Sequence, residues 1–306
     1  MDSADKLIQI ETPYGVFWTR ENDFVNDQLR NFGGHQRSEL GMIRSLSREG
    51  DVVLDVGAHI GTFCIPLAQH IGDSGRLFAF EPMPSSHRIL EKNIAENDLA
   101  GRATAINALI SDDASEYQAH ISHDHTSAAY FVPAGSAADQ QKSAADTGEA
   151  GNSAVATIHL DNWGLESKAP LERLDVMKVD TEGMELRVLR SAAGLIERFR
   201  PVVMVEISGD FLARSGDSVR EIERFLRKHG YRFYRNLGPR HAHNEEFELA
   251  KLWSPAHVSD LYDLVAVHPE SDRHPNKARS ALPAFLRWIW TRSNNLLGAI
   301  KRRLFG

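Results

Sequence analysis

Between residues 52 and 267, short apolar runs alternate with stretches of helical periodicity, and this alternation restricts the fold more than any other property of the chain. Val52-Val53-Leu54-Asp55-Val56 reads as a buried strand, followed by a glycine turn and a helix through Ile71. Arg76 to Phe80 is a second strand, and Pro84 to Asn97 a second helix with Ile89, Leu90 and Ile94 at helical spacing. Ala103 to Ile110 is a third strand. Leu174 to Val179 is a fourth, followed by a helix through Ala193; Pro201 to Ile207 is a fifth, followed by a helix over Ser218 to His229. Tyr231 to Tyr234 and Leu261 to Val267 close the series, with a loop between them that suits an antiparallel hairpin. The expectation is an α/β, doubly wound, seven-stranded and mostly parallel sheet.

Residues 1–50 supply N-terminal strands and a helix packed on that core. Leu7-Ile8-Gln9-Ile10 and Tyr14 to Trp18 are two short strands, and Glu39 to Leu46 is helical. The main domain is assigned to residues 51–270. Its rhythm breaks once, in an insert over 114–154, where Glu116 to Ile121 and Ala128 to Val132 read as an added β-ribbon. Residues 133–154 lack large apolar side chains and are expected to be a mobile loop. Val155 to Leu160 resumes strand character. Residues 271–306 form a basic amphipathic tail, expected as a C-terminal helix: Leu282, Phe285, Leu286, Ile289, Leu296, Leu297, Ile300 and Leu304 make one stripe. Two placements are open for it, in the headgroup region of an anionic membrane or against the body or a twin subunit in a homodimer.

Hydrophobic residues are 42% of the 306 and charged ones 25%, enough for a sizeable core. One cysteine, Cys64, excludes a disulfide framework and a cysteine-built zinc site, and fits a reducing compartment. With no secretory leader pattern and no apolar run of membrane-spanning length, a cytoplasmic protein is expected, peripheral at the inner membrane face if the tail binds lipid. The net charge of −7 hides an asymmetry: Arg273 to Gly306 carries eight basic residues and no acid, so the remainder stands at −15. An acidic body argues against nucleic-acid binding, which is dominated by phosphate contacts.

The first strand ends in Asp55-Val56-Gly57-Ala58-His59-Ile60-Gly61. A dinucleotide fingerprint needs G-x-G-x-x-G to seat a pyrophosphate, whereas here the second glycine comes only at Gly61. This wider turn suits a ligand without phosphates. The second strand ends in Glu81-Pro82, where an acid is placed to accept both ribose hydroxyls of a nucleoside. The third ends in Ser111-Asp112, where a carboxylate can accept from an adenine amine, although Ser-Asp is also ordinary turn chemistry. Together these ends describe a nucleoside pocket.

These residues, with Thr157-Ile158-His159-Leu160-Asp161, Pro201 to Glu206 and above all Lys178-Val179-Asp180-Thr181-Glu182-Gly183-Met184-Glu185, resemble the FkbM-type S-adenosylmethionine-dependent methyltransferases over roughly residues 35 to 210. The resemblance implies a class I, Rossmann-like methyltransferase fold and S-adenosyl-L-methionine as cofactor. It also implies a sugar, glycan, glycolipid or polyketide acceptor. His59 stands where the family usually has asparagine, and the insert before Val155 is long. Cofactor contacts fall on Asp55, Gly57, Ala58, His59, Gly61, Glu81, Pro82, Ser111 and Asp112.

Moving a methyl to a hydroxyl oxygen requires in-line alignment and removal of a proton. Asp180 and Glu182 are the best-placed carboxylates and Glu206 a third, the alternative being that the first two cap the next helix. A metal is not expected, although His123-Asp124-His125 and His241-Ala242-His243 could each pair two imidazoles. Cys64 reads as a small buried hydrophobe and Trp163 as a core or lid anchor. The competing readings are a nicotinamide-dependent oxidoreductase and a non-catalytic nucleoside-binding module.

Overall fold

The N-terminal residues fold as a hairpin, β1 (Leu7–Thr12) and β2 (Gly15–Arg20), followed by α1 (Phe24–Phe32) and α2 (Arg37–Leu46). The alternating region then gives β3 (Val52–Val56), α3 (Cys64–His70), β4 (Arg76–Phe80), α4 (Pro84–Glu96) and β5 (Ala103–Ile106). Between β5 and the next strand of the sheet come β6 (Leu109–Ile110), β7 (Tyr117–Ser122) and β8 (His125–Pro133) of the insert, β9 (Thr157–Ile158) and α5 (Leu160–Leu165). Next come β10 (Val176–Val179), α6 (Glu185–Ser191), α7 (Ala193–Phe199), β11 (Val202–Ile207), α8 (Gly209–Arg214) and α9 (Val219–Lys228). The chain closes with β12 (Arg232–Asn236), β13 (Leu249–Leu252), β14 (Tyr262–Val267) and β15 (Arg279–Ser280). This computed structural model describes residues 6–21, 23–122, 125–133, 155–238, 243–258, 261–275 and 279–280. Of the loop expected over 133–154, Pro133 ends β8 and 134–154 lie outside the described residues, as do the tail helix from 281 onward, His123, Asp124, His241 and Ala242.

Among the described residues the central sheet has nine strands, not seven, in the order β15-β13-β12-β14-β11-β10-β3-β4-β5. The seven expected strands are contiguous in it. The two extra ones, β13 and β15, lengthen the edge beyond β12. Leu249-Ala250-Lys251-Leu252 is too short to show an alternating pattern, which is why it does not read as a strand. The strands from β5 to β11 are parallel, while β14 is antiparallel to both β11 and β12. The late hairpin is therefore real and sits inside the sheet's edge.

Strand alternation sends side chains to two faces. Val53, Leu77, Val176, Val202 and Val265 join one core with α2, α3 and α4, while Leu54, Phe80, Met177, Val203 and Leu264 join a second with α6, α7 and α9. Each fully buried residue of this kind contributes ~1.5–3 kcal/mol. Trp163 belongs to the second core, edge-on to Phe78 and Phe80 at ring distances of 5.0 and 5.1 Å. Cys64 is fully buried in the first core. No helix among the described residues is long and apolar enough to cross a membrane.

Three expected elements differ. The third strand stops at Ile106: the Asn107 amide turns aside to donate to the carbonyls of Glu81 and Pro82, and β6 leaves the central sheet to pair with β9. Of the strand expected over Val155 to Leu160, only β9 forms. The helix expected through Ala193 breaks at Ala192, because Asp161 accepts from the amides of Gly194 and Leu195 at 2.8 and 2.9 Å and so caps a new one.

The edge of β2 is closed by side chains. Asn93 on α4 and Asn97 at its C-cap, one helical turn apart, bond to the backbone of Trp18 and Val16. Four helical residues rise about 6 Å and two strand residues about 6.6 Å, so the two amides match alternate strand positions. Asn93 also donates to the Ile60 carbonyl at 2.8 Å, which fixes the N-terminal hairpin to the glycine turn.

Candidate active site

The glycine turn after β3 leans on β4. Gly57 and Ala58 both donate their amides to the Phe80 carbonyl at 3.0 Å, and His59 donates its amide to Glu81 Oε2 at 2.8 Å. Three consecutive amides are thus consumed inside the protein. A pyrophosphate would need such amides free, so the turn fits a ligand without one. Gly57 adopts φ +82°, and a Cβ there would fall 1.7 Å from the carbonyl oxygen of Asp180. The approach of β3 to β10 is by itself enough to require the glycine. His59 adopts φ +50°, a conformation that asparagine and histidine tolerate better than most residues. It is half-buried by surface yet closely surrounded by protein, and this desolvation holds its imidazole below the usual value. Asp23, the N-cap of α1, and Arg20, the last residue of β2, are near enough to bias it in opposite directions.

Glu81 is 5% exposed. Its Oε1 accepts from Met83 N at 2.9 Å, so each oxygen has one amide and a lone pair to spare. Burial pushes this carboxyl up to about 7, against the two amides, which pull it down. Pro82 and Ala58 border it. Asp55 is fully buried, with the Lys178 ammonium 3.3 Å away, and burial outweighs that cation in raising its pKa.

Ser111 sits elsewhere than expected. It follows β6 rather than the end of β5, is fully buried, and shares a 2.9 Å hydrogen bond with the Tyr117 hydroxyl. That hydroxyl also donates to Asp113 and accepts from Arg187 of α6, so Ser111 helps seat the ribbon β7–β8. Asp112 lies 3.9 Å from Arg190. Tyr117 and Phe131 of the ribbon pack with Leu109 and Met184, over the turn that follows β10.

At the carboxyl ends of β10 and β11 the structure brings Asp180, Glu182 and Glu206 together, with carboxylate oxygens within 4.8 Å of one another. The buried Glu185 at the start of α6 holds the loop before it, its Oε1 accepting from Thr181 N, Thr181 Oγ1 and Gly183 N at 3.0 to 3.2 Å. Glu182 is held at φ +53° and Gly183 at +114°. A bulky residue in the left-handed region marks local strain, and such strain clusters at functional sites. Of the histidines proposed as pairs, His243 packs its ring on Phe32 at 4.6 Å, away from these carboxylates. Another cleft, at the amino ends of the strands, is lined by Arg48, Arg173, Arg200 and Arg273, each paired with an acid.

Asn93 and Asn107 carry no signal in the sequence, and Lys178 stands there only as the first residue of the Lys178–Glu185 motif. Lys178 was the legible one, a lysine inside the apolar run Val176-Met177-Lys178-Val179.

A family model, the methyltransferase FkbM domain, matches residues 55–233. The chain belongs to the FkbM methyltransferase family. Its cofactor is S-adenosylmethionine, and the nicotinamide alternative falls with that assignment. No curated protein matches the chain by sequence. Among solved structures it is similar to an FkbM methyltransferase from Methylobacillus flagellatus KT, at 14% identity over 78% of this chain and 52% of that one, with a TM-score of 0.44. It is also similar to M. jannaschii TYW2 in complex with AdoMet, at 13% identity over 87% and 86% of the two chains and a TM-score of 0.42. The third is precorrin-6y C5,15-methyltransferase from Geobacter metallireducens GS-15, at 15% identity over 76% and 87% and a TM-score of 0.39.

Proposed function

We propose that this FkbM-family chain moves a methyl group to a hydroxyl oxygen, and that the observation carrying this reading is the cluster of Asp180, Glu182 and Glu206. The residues present fit the cofactor: Glu81 has an unused lone pair on each oxygen for ribose hydroxyls, and the amides of Gly57, Ala58 and His59 are already taken within the protein. Bound there, S-adenosylmethionine supplies an electrophilic sulfonium methyl. The chain's part is to align a hydroxyl and take its proton. Asp180, whose side chain is 21% exposed beside the turn, accepts that proton at a carboxylate oxygen. Glu182 and the nearly buried Glu206 orient the hydroxyl from either side.

A polar acceptor, a sugar hydroxyl of a glycan or lipid-linked glycan, is supported by polar atoms near α1. Gln28 Oε1, Gln36 Oε1 and His59 Nε2 are buried and accept or donate no hydrogen bond among the described residues. Buried polar atoms are normally satisfied, so those left over suit a polyhydroxylated ligand. The test is transfer of labelled methyl to a panel of sugar and polyketide alcohols, carbon acids and amines. Transfer to alcohols is expected, with Asp180→Asn and Glu182→Gln each at least ~100-fold slower. Transfer confined to nitrogen or carbon acceptors would overturn the reading.

A further inference from the structure

Lys178 is the third residue of a four-residue strand in which every position is buried. Burying an ammonium there is costly unless its charge is met. Its Nζ lies 3.3 Å from Asp55 Oδ1, 3.4 Å from Asp180 Oδ2 and 3.5 Å from the Gly57 carbonyl oxygen, and it stands 4.8 Å from the centroid of the Phe63 ring. Glu206 on β11, Glu81 after β4 and His59 in the turn also feel its charge. The two near carboxylates differ in access. Asp55 is sealed beneath the glycine turn, whereas Asp180 is partly exposed at the front of the cluster.

One ammonium therefore joins a sealed acid, the cofactor turn and the front of the carboxylate cluster. A lysine needed only to neutralise Asp55 would have no reason to reach Asp180 as well. Three carboxylates within 4.8 Å repel one another, and each raises the cost of ionising the next. A cation placed behind one of them lifts that penalty selectively and fixes its direction.

We propose that Lys178 is a positioning residue for methyl transfer: it clamps Asp180 from behind, keeps that carboxylate ionised among its acidic neighbours, and ties its direction to the glycine turn through Asp55 and the Gly57 carbonyl. This rests on the reading of Asp180 as proton acceptor. Lys178 itself touches neither acceptor nor methyl in this role.

The experiment is an NMR pH titration of the full chain labelled at aspartate carboxyl carbons, with the Asp180 signal identified by its loss in Asp180→Asn. Lys178→Met alone leaves Asp55 buried and unpaired, so the decisive variant is Asp55→Asn with Lys178→Met, which removes both partners of the inner pair. Expected for that double variant, with a cooperative melting transition retained, is an Asp180 midpoint raised by about one pH unit or more. Lys178→Arg should hold the midpoint near the wild-type value. An unchanged midpoint in the double variant would overturn the proposal, since Lys178 would then serve Asp55 alone. A double variant that does not fold overturns it too, because the pair would then be structural. A wild-type chain that binds no S-adenosylhomocysteine would sink the methyltransferase reading while leaving the Asp180 shift measurable.

Discussion

Glu81 carries the most direct pH prediction. Ribose hydroxyls donate to the ionised carboxylate, while burial holds the free protein's carboxyl at about 7. Cofactor binding must then release a proton below that value, so affinity rises with pH and levels off above it. The account predicts S-adenosylhomocysteine binding about tenfold tighter at pH 8 than at pH 6, by calorimetry. Glu81→Gln should be weaker at both values and nearly flat between them; a wild-type affinity independent of pH would contradict the assignment. Glu182 carries the stability prediction. Its left-handed backbone costs about 1–2 kcal/mol, which glycine does not incur. Glu182→Gly is expected to melt a few degrees higher while losing turnover, and a lower melting temperature would show that the side chain's contacts outweigh the strain.

The elements explain why some of this was legible and some was not. β3, β4, β10, β11 and the helices between them are readable because apolar runs and 3.6-residue periodicity coincide with turn residues at each end. The carboxylate cluster was readable for the same reason: Asp180 and Glu206 stand at the ends of neighbouring parallel strands. The position of Ser111 was not readable. It depends on the Asn107 amide, which satisfies two carbonyls of another segment and diverts the chain out of the sheet. Nor was the double duty of Asn93, since only the folded helix shows which strand its amide faces. For Gly57, which the sequence marks as a cofactor contact, the folded chain adds a packing reason that no local pattern shows. Gly57→Ala should drive the carboxyl ends of β3 and β10 apart and cost ~3 kcal/mol or more, lowering the melting temperature even without ligand. An unchanged ligand-free melting curve would mean that the strand ends can part freely.

For the whole molecule, two sets of groups meet along one edge of a doubly wound sheet. Glu81 and the glycine turn form one side, the three carboxylates the other, and Lys178 links them from behind. Ligands of open α/β sheets bind outside the carboxyl ends of the strands, and the site lies there. The rest of the chain frames this edge: the N-terminal hairpin is tied to the turn through Asn93, and the ribbon is seated over Met184 and anchored by Arg187. The central claim is that this edge holds a nucleoside cofactor without a phosphate cradle and works by methyl transfer. The most direct measurement is calorimetry of the full chain with S-adenosylhomocysteine and, separately, with NAD. The account predicts one S-adenosylhomocysteine bound per chain, lost in Glu81→Ala, and no heat from NAD; NAD binding with no response to S-adenosylhomocysteine would contradict it.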